Sequence, residues 1–168
     1  MYLLKHGHRR ILYIECERPN LPVLNVDRFI GFKKAVEEYA LHFLDEMRIK
    51  TDLNNSDDLE RKLHGLLSKS EKPTAIFCLD DDLALRVIAV LHKLRLSVPD
   101  DVSIIAPGDT LDYRSIHVPQ ITTMRINTSY MGELAGQLIM KRIQHKSEEI
   151  KVLKVKEQLV ERKSCRTI

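Results

Sequence analysis

The chain has 168 residues, 43% hydrophobic and 30% charged, with 27 basic and 24 acidic side chains and a net charge of +3. That length suits one domain or one large lobe with a buried core. The near balance of charge gives no footing for nucleic-acid binding by this segment itself, and no apolar run approaches the roughly 20 residues that a membrane helix needs. Met1 to His6 has neither the long apolar stretch nor the small-residue cleavage site of a secretory signal. Cys16, Cys78 and Cys165 are odd in number and widely spaced. They fit free thiols in a reducing, cytoplasmic compartment, and their spacing offers no zinc site.

Short β-type runs alternate with segments of helical period, which predicts an α/β fold: a mainly parallel sheet between two helical layers. Ile11–Glu15 reads as the first strand. A helix follows over about Asp27–Phe43, with Phe29, Phe32, Val36, Tyr39, Ala40 and Phe43 on one face. Met47–Lys50 is an edge-strand candidate. Ser56 is expected to cap a helix striped by Leu59, Leu63, Leu66 and Leu67. Ala75–Leu79 is the next strand, and Asp81 to Leu94 the next helix. Val102–Ala106 is a buried strand, Ile121–Ile126 is extended, and a last helix over Ser129–Ile143 is expected to bury Met131, Leu134, Ala135, Leu138 and Ile139. Val152–Val160 is expected to return as a strand.

Chemistry concentrates at two strand ends. Ala75–Leu79 empties into Asp80, Asp81 and Asp82, and Val102–Ala106 runs into Pro107, Gly108 and Asp109. In open parallel sheets ligands gather beyond the carboxyl ends of strands, so these acids sit where a small polar molecule would be held. Arg28 stands near the start of the helix after the first strand, and its planar fork can hold two hydroxyls or a carboxylate. We assign Asp80 to the site, Asp81 to helix capping with a share in the site, and Asp82 to solvent. Tyr113 and His117 lie in the following loop as further candidates to line the cleft, with plain packing as the alternative. The basic cluster Lys5–Arg10 is read as a solvated helix end, and Gly7 as the glycine that ends that helix.

The order of these features resembles the effector-binding domain of the LacI/GalR family of bacterial transcription regulators. Gly7-His8-Arg9-Arg10-Ile11 looks like its helix-to-strand junction, Arg28-Phe29-Ile30-Gly31-Phe32 like its R-x-x-G-F helix start, and Asp80-Asp81 with Leu83-Ala84 like its Asn-Asp-x-x-Ala turn. Val98 to Ile105, Pro119 to Thr123, Met131-Gly132 with Ala135, and Leu159 to Ser164 match further signatures in the same order.

The resemblance implies two lobes that clamp a small polar effector, a sugar or sugar derivative, without cofactor, metal or catalysis. It implies a homodimer that reaches DNA only through a head domain absent from this chain, and no membrane partner. It further implies that residues 1–124 form the carboxy-terminal lobe, that 125–153 hold a crossover helix belonging with an amino-terminal lobe, and that 154–168 are a return strand and tail. An isolated lobe of this kind should self-associate through its exposed apolar faces. Two departures bear on the site. Asp80 replaces the usual Asn, which removes a donor. Gly108 falls where the ligand-binding Asp is expected, so either Asp109 moves into that place or the effector is held differently. Other readings of the same fold are an extracytoplasmic sugar-binding protein of a transporter, and a flavodoxin-like enzyme using Asp80 or Asp109 as acid, base or phosphoacceptor.

Overall fold

In the computed structural model, which describes residues 2–16, 22–52, 55–145 and 152–168, alternate residues of each central strand point into two separate cores. From β1 (Ile11–Cys16), Leu12, Ile14 and Cys16 face one side, and Ile11 and Tyr13 the other. That period of two lets one short apolar run serve two helical layers. The six strands are β1, β2 (Arg48–Thr51), β3 (Ala75–Cys78), β4 (Ser103–Gly108), β5 (Thr122–Arg125) and β6 (Gln158–Val160), in spatial order β2-β1-β3-β4-β5-β6. The first five are parallel, in registers such as Ile11↔Ala75 and Ala75↔Ser103. β6 runs antiparallel to β5 through Thr123↔Val160.

One face is covered by α3 (Ser56–Leu67) and α4 (Asp81–Lys93). Their Leu59, Leu63, Leu83, Val87 and Leu91 are buried against Leu12, Ile14, Ile76 and Ile104. The other face carries α1 (Tyr2–Lys5) and α2 (Pro22–Glu37), with Leu3, Leu4, Phe32 and Val36 packed on Tyr13 and Ile105. The expected α/β layering is therefore present.

Several boundaries differ from expectation, each for a local reason. α2 stops at Glu37, because Ala40 takes a left-handed φ of 55° and Ala40 N bonds Glu37 O in a turn. Phe43 nevertheless folds back, and its ring centroid lies 5.5 Å from Phe29 and 5.6 Å from Phe32. α3 is capped by Asn55, whose side chain accepts from Asp58 N at 3.1 Å, so Ser56 is a helical residue and not the cap. A 3₁₀ turn over Asp45–Met47 precedes β2.

His8 is not at a solvated helix end. It is fully buried, with Nδ1 2.9 Å from Thr74 Oγ1 and Nε2 3.0 Å from Arg166 O. A carbonyl can only accept, so Nε2 carries the proton. Burial holds the ring's pKa below its ordinary value. Gly7 does end α1, at φ 93°, and a Cβ there would lie 2.4 Å from Ile168 O.

The largest difference concerns α5 (Thr128–His145). Met131, Ala135 and Ile139 are exposed, not buried, Leu134 and Leu138 are only half-buried, and no described element packs extensively on this helix. The return strand shrinks to Gln158–Val160, because β5 offers only four residues to pair with; Val152 and Leu153 are exposed.

Candidate functional site

The strand order places a topological switch between β1 and β3, where connections leave in opposite directions. In such sheets the crevice outside the strand ends at the switch is the expected ligand position. Arg28 reaches this point from the second turn of α2, which starts at Pro22 and not near Asp27 as expected, its Nη1 donating to Leu79 O at 2.7 Å just past β3. Among the described residues this is the side chain's one hydrogen bond, and Arg28 is half-buried.

The acids after β3 divide their work differently from expectation. Asp80, in extended backbone, is the cap of α4, accepting from Leu83 N at 2.9 Å. Asp81, expected to cap, is instead a buried anchor. It accepts from Thr110 N at 2.6 Å, Thr110 Oγ1 at 2.9 Å, Leu111 N at 3.2 Å and Tyr113 Oη at 3.2 Å. These bonds fasten the loop after β4 to the start of α4. Asp82 is partly exposed and pairs with Arg86 at 3.4 Å on the helix surface, as expected of a solvent-facing acid.

Gly108 has a structural reason to be glycine. Its φ is 132°, and a Cβ would lie 2.5 Å from Asp81 Oδ1. The following Asp109, at φ 69°, accepts from Thr123 Oγ1 at 2.8 Å, Arg162 Nη2 at 2.6 Å and Arg125 Nε. Burial pushes its carboxyl pKa up, but the bonds from Arg125, Thr123 and Arg162 outweigh this and hold it below the ordinary value. Arg162 lies 3.7 Å from the centroid of the Tyr113 ring, so Tyr113 is packed between Arg162 and Asp81. Burial, then the neighbouring Asp81 charge, raises the Tyr113 phenol.

Arg28, Asp80, Asp81, Gly108, Asp109 and Tyr113 thus all stand at or just beyond the carboxyl ends of β3 and β4. They form two groups. Asp80, Asp81, Gly108, Asp109 and Tyr113 belong to the α4 side, where Asp80 caps the helix, Gly108 lies close against Asp81, and Arg162 links Asp109 to the Tyr113–Asp81 pair. Arg28 belongs to the α2 side, at the mouth of an apolar groove of about 520 Å³ lined by Leu3, Phe32, Phe77, Ile105, Met124 and Leu159. Glu157 shares that mouth. Burial raises its carboxyl, and Arg28 opposes the shift.

Two arginines of this cluster escape a reading based on strand ends. Arg162 lies within the Leu159–Ser164 signature yet carries no assigned role there, and Arg125 reads only as an extended residue. Glu15, 3% exposed at the end of β1, pairs with Arg48 at 2.7 Å, and its only sequence signal is a charge closing an apolar run. Among the described residues Glu15 Oε2 and Tyr13 Oη are buried without a hydrogen-bond partner.

Residues 1–165 match the model of the periplasmic binding protein-like domain. The chain belongs to that family. It is 32% identical over 167 residues to the HTH-type transcriptional repressor PurR of Histophilus somni strain 2336, covering 99% of this chain and 49% of that protein. It is 33% identical over 165 residues to PurR of Serratia proteamaculans, covering 97% and 47%. Among solved structures, a LacI family transcriptional regulator from Bifidobacterium animalis superposes with a TM-score of 0.78 at 26% identity, covering 99% of this chain and 58% of that one. A CelR regulator in complex with cellobiose superposes at 0.79 with 24% identity, covering 97% and 49%; this likeness is one of fold. The chain spans about half the length of the curated relatives it matches. Among the described residues no helix is long and apolar enough to cross a membrane.

Proposed function

We propose that this chain is the effector-sensing lobe of a LacI-type bacterial transcription repressor, working in the cytoplasm, and that it binds a small polar effector instead of catalysing a reaction. The observation that carries the reading is Arg28. Its guanidinium is pinned by one N–H to the Leu79 carbonyl, just past β3 at the switch between β1 and β3, beside the groove that it lines together with Glu157. A fork held this way is pre-organised for paired hydroxyls or a carboxylate, as a sugar or sugar acid presents them.

The family match and the repressor relatives, each about twice this chain's length, support a whole protein with a second lobe and a DNA-reading head. On this reading the effector favours one arrangement of the lobes by differential affinity, and a homodimer passes that preference to DNA. The open groove and the bare stripe of α5 are surfaces that the rest of such a protein would cover.

The test is a thermal melt of the protein containing both lobes, with cellobiose and other small sugars as probes. The effector should stabilise it by about 2.7 kcal/mol at one hundred times its dissociation constant. Arg28→Ala should abolish most of that gain. An unchanged gain in Arg28→Ala would remove Arg28 from the site.

A further inference from the structure

In chain order α5 lies between β5 and β6, so the chain leaves the sheet at the end of β5 and comes back to it through β6. Both passages meet at one carboxylate. On the way out, Arg125, the last residue of β5, donates Nε to Asp109 Oδ2. Two residues later Asn127 Oδ1 accepts from Tyr130 N at 2.9 Å and starts α5. On the way back, Arg162, two residues after β6, donates Nη2 to Asp109 Oδ1 at 2.6 Å, while its Nη1 bonds Ile121 O at 2.8 Å and Thr123 Oγ1 at 2.9 Å. Asp109 is 5% exposed and Arg162 12%, whereas Arg125 is 49% exposed.

We propose that Asp109 is a clasp that braces the outgoing and returning strands against each other, a positioning residue for lobe movement and not a contact to the effector. The assignment of lobe movement rests on the function proposed above; the clasp rests on the geometry alone. A segment joined by a two-strand neck swings about that neck unless something cross-links it, and motion in such hinges is absorbed by a few residues at element ends. The backbone pairing of β5 with β6 is one such link, and Asp109 adds a second, made by side chains, at the point where the two strands leave the sheet. Its connection also runs toward the effector rim, because Arg162 stacks on Tyr113, Tyr113 donates to Asp81, and Asp81 follows Asp80 and the Leu79 carbonyl that holds Arg28. Packed networks of this kind have discrete arrangements that a ligand at one end can bias. The left-handed backbone at Gly108 and Asp109 turns the carboxylate back toward β5, which accounts for the Gly-Asp order at this strand end.

Amide hydrogen exchange, measured by NMR on the chain itself, tests this without any effector. In Asp109→Asn the amides of Thr122–Arg125, Gln158–Val160 and the first turn of α5 should exchange at least about tenfold faster, with Ile11–Cys16 and Ala75–Cys78 unchanged. A uniform rise over all strands, or no change at the neck, overturns the clasp. The milder Arg125→Gln, which cuts only the outgoing arm at an exposed side chain, covers the case in which Asp109→Asn fails to fold. It should speed exchange in the first turn of α5 and leave β6 protected; equal effects on both passages, or none on either, overturn the proposal. If the exchange pattern holds while the two-lobe protein ignores small sugars, the clasp stands and the effector reading falls. If Arg28-dependent sugar binding is seen while the neck is indifferent to Asp109→Asn, the clasp falls alone.

Discussion

The two faces of the sheet are built from the same strands but closed to different degrees. Beneath α3 and α4 the leucines Leu63, Leu83 and Leu91 are wholly buried, and the core runs without a break from β2 to β5. Beneath α1 and α2 an aromatic knot of Tyr13, Phe29, Phe32, Phe43 and Phe77 covers β1 and β3, while Ile105, Met124 and Leu159 line an open groove. The closed face holds the larger set of fully buried side chains. The partly open face, with Arg28 at its mouth, is where the chain has surface left to use.

Substitutions can break or sharpen that contrast. The largest effect is expected from Leu63→Ala, which empties a fully enclosed site and should cost about 2–5 kcal/mol in urea unfolding; Met124→Ala, in the groove wall, should cost distinctly less. If the two cost the same, the faces are energetically equivalent and the contrast fails. Gly108→Ala should cost about 1–3 kcal/mol from backbone strain alone, with the added methyl meeting Asp81.

A smaller effect should follow acidification near neutrality. The folded pKa of His8 lies below its unfolded value, so between the two the unfolded chain binds more protons and stability rises with pH. Unfolding midpoints should therefore fall as pH drops through about 6.5, the ordinary histidine value, and His8→Gln should flatten that dependence. Asp109 has the same sign in a lower window. Its contribution is present above the ordinary carboxylate range and lost as pH falls through its depressed value. The smallest effect belongs to α5. Ile139→Ser, at a side chain 60% exposed, should shift the stability of the chain by no more than about 0.5 kcal/mol; a large loss would mean that the stripe is covered in solution, for example by a second copy.

The layering was legible because β-type and helical periods alternate plainly, and because Leu59, Leu63 and Leu67, or Leu83, Val87 and Leu91, repeat at helical spacing against strands that are apolar on both sides. Periodicity tells which face of a helix is apolar, not what lies opposite, which is why the same logic misplaced Met131 and Ile139 of α5. At the rim, position along the chain found Arg28 and the two acidic strand ends. It did not separate Asp80 as cap from Asp81 as anchor, since capping depends on which carboxylate points back at Leu83 N. Arg125 and Arg162 were out of reach for a different reason. They lie 16 and 53 positions from Asp109, and only the pairing of β5 with β6 brings them together.

The tail after β6 has a consequence of its own. Ser164 Oγ donates to Ile104 O and accepts from Thr122 N, Arg166 N bonds Ser103 Oγ, the Arg166 carbonyl receives His8, and Ile168 N bonds His6 O. These last residues work as a seam stitched across the amino-terminal edge of the sheet, joining its final strands to its first helix. A protease nick after Lys163 would unpick that seam at both ends at once, so an affinity handle fused behind Ile168 should be carried on a spacer that leaves Gly7 undisturbed.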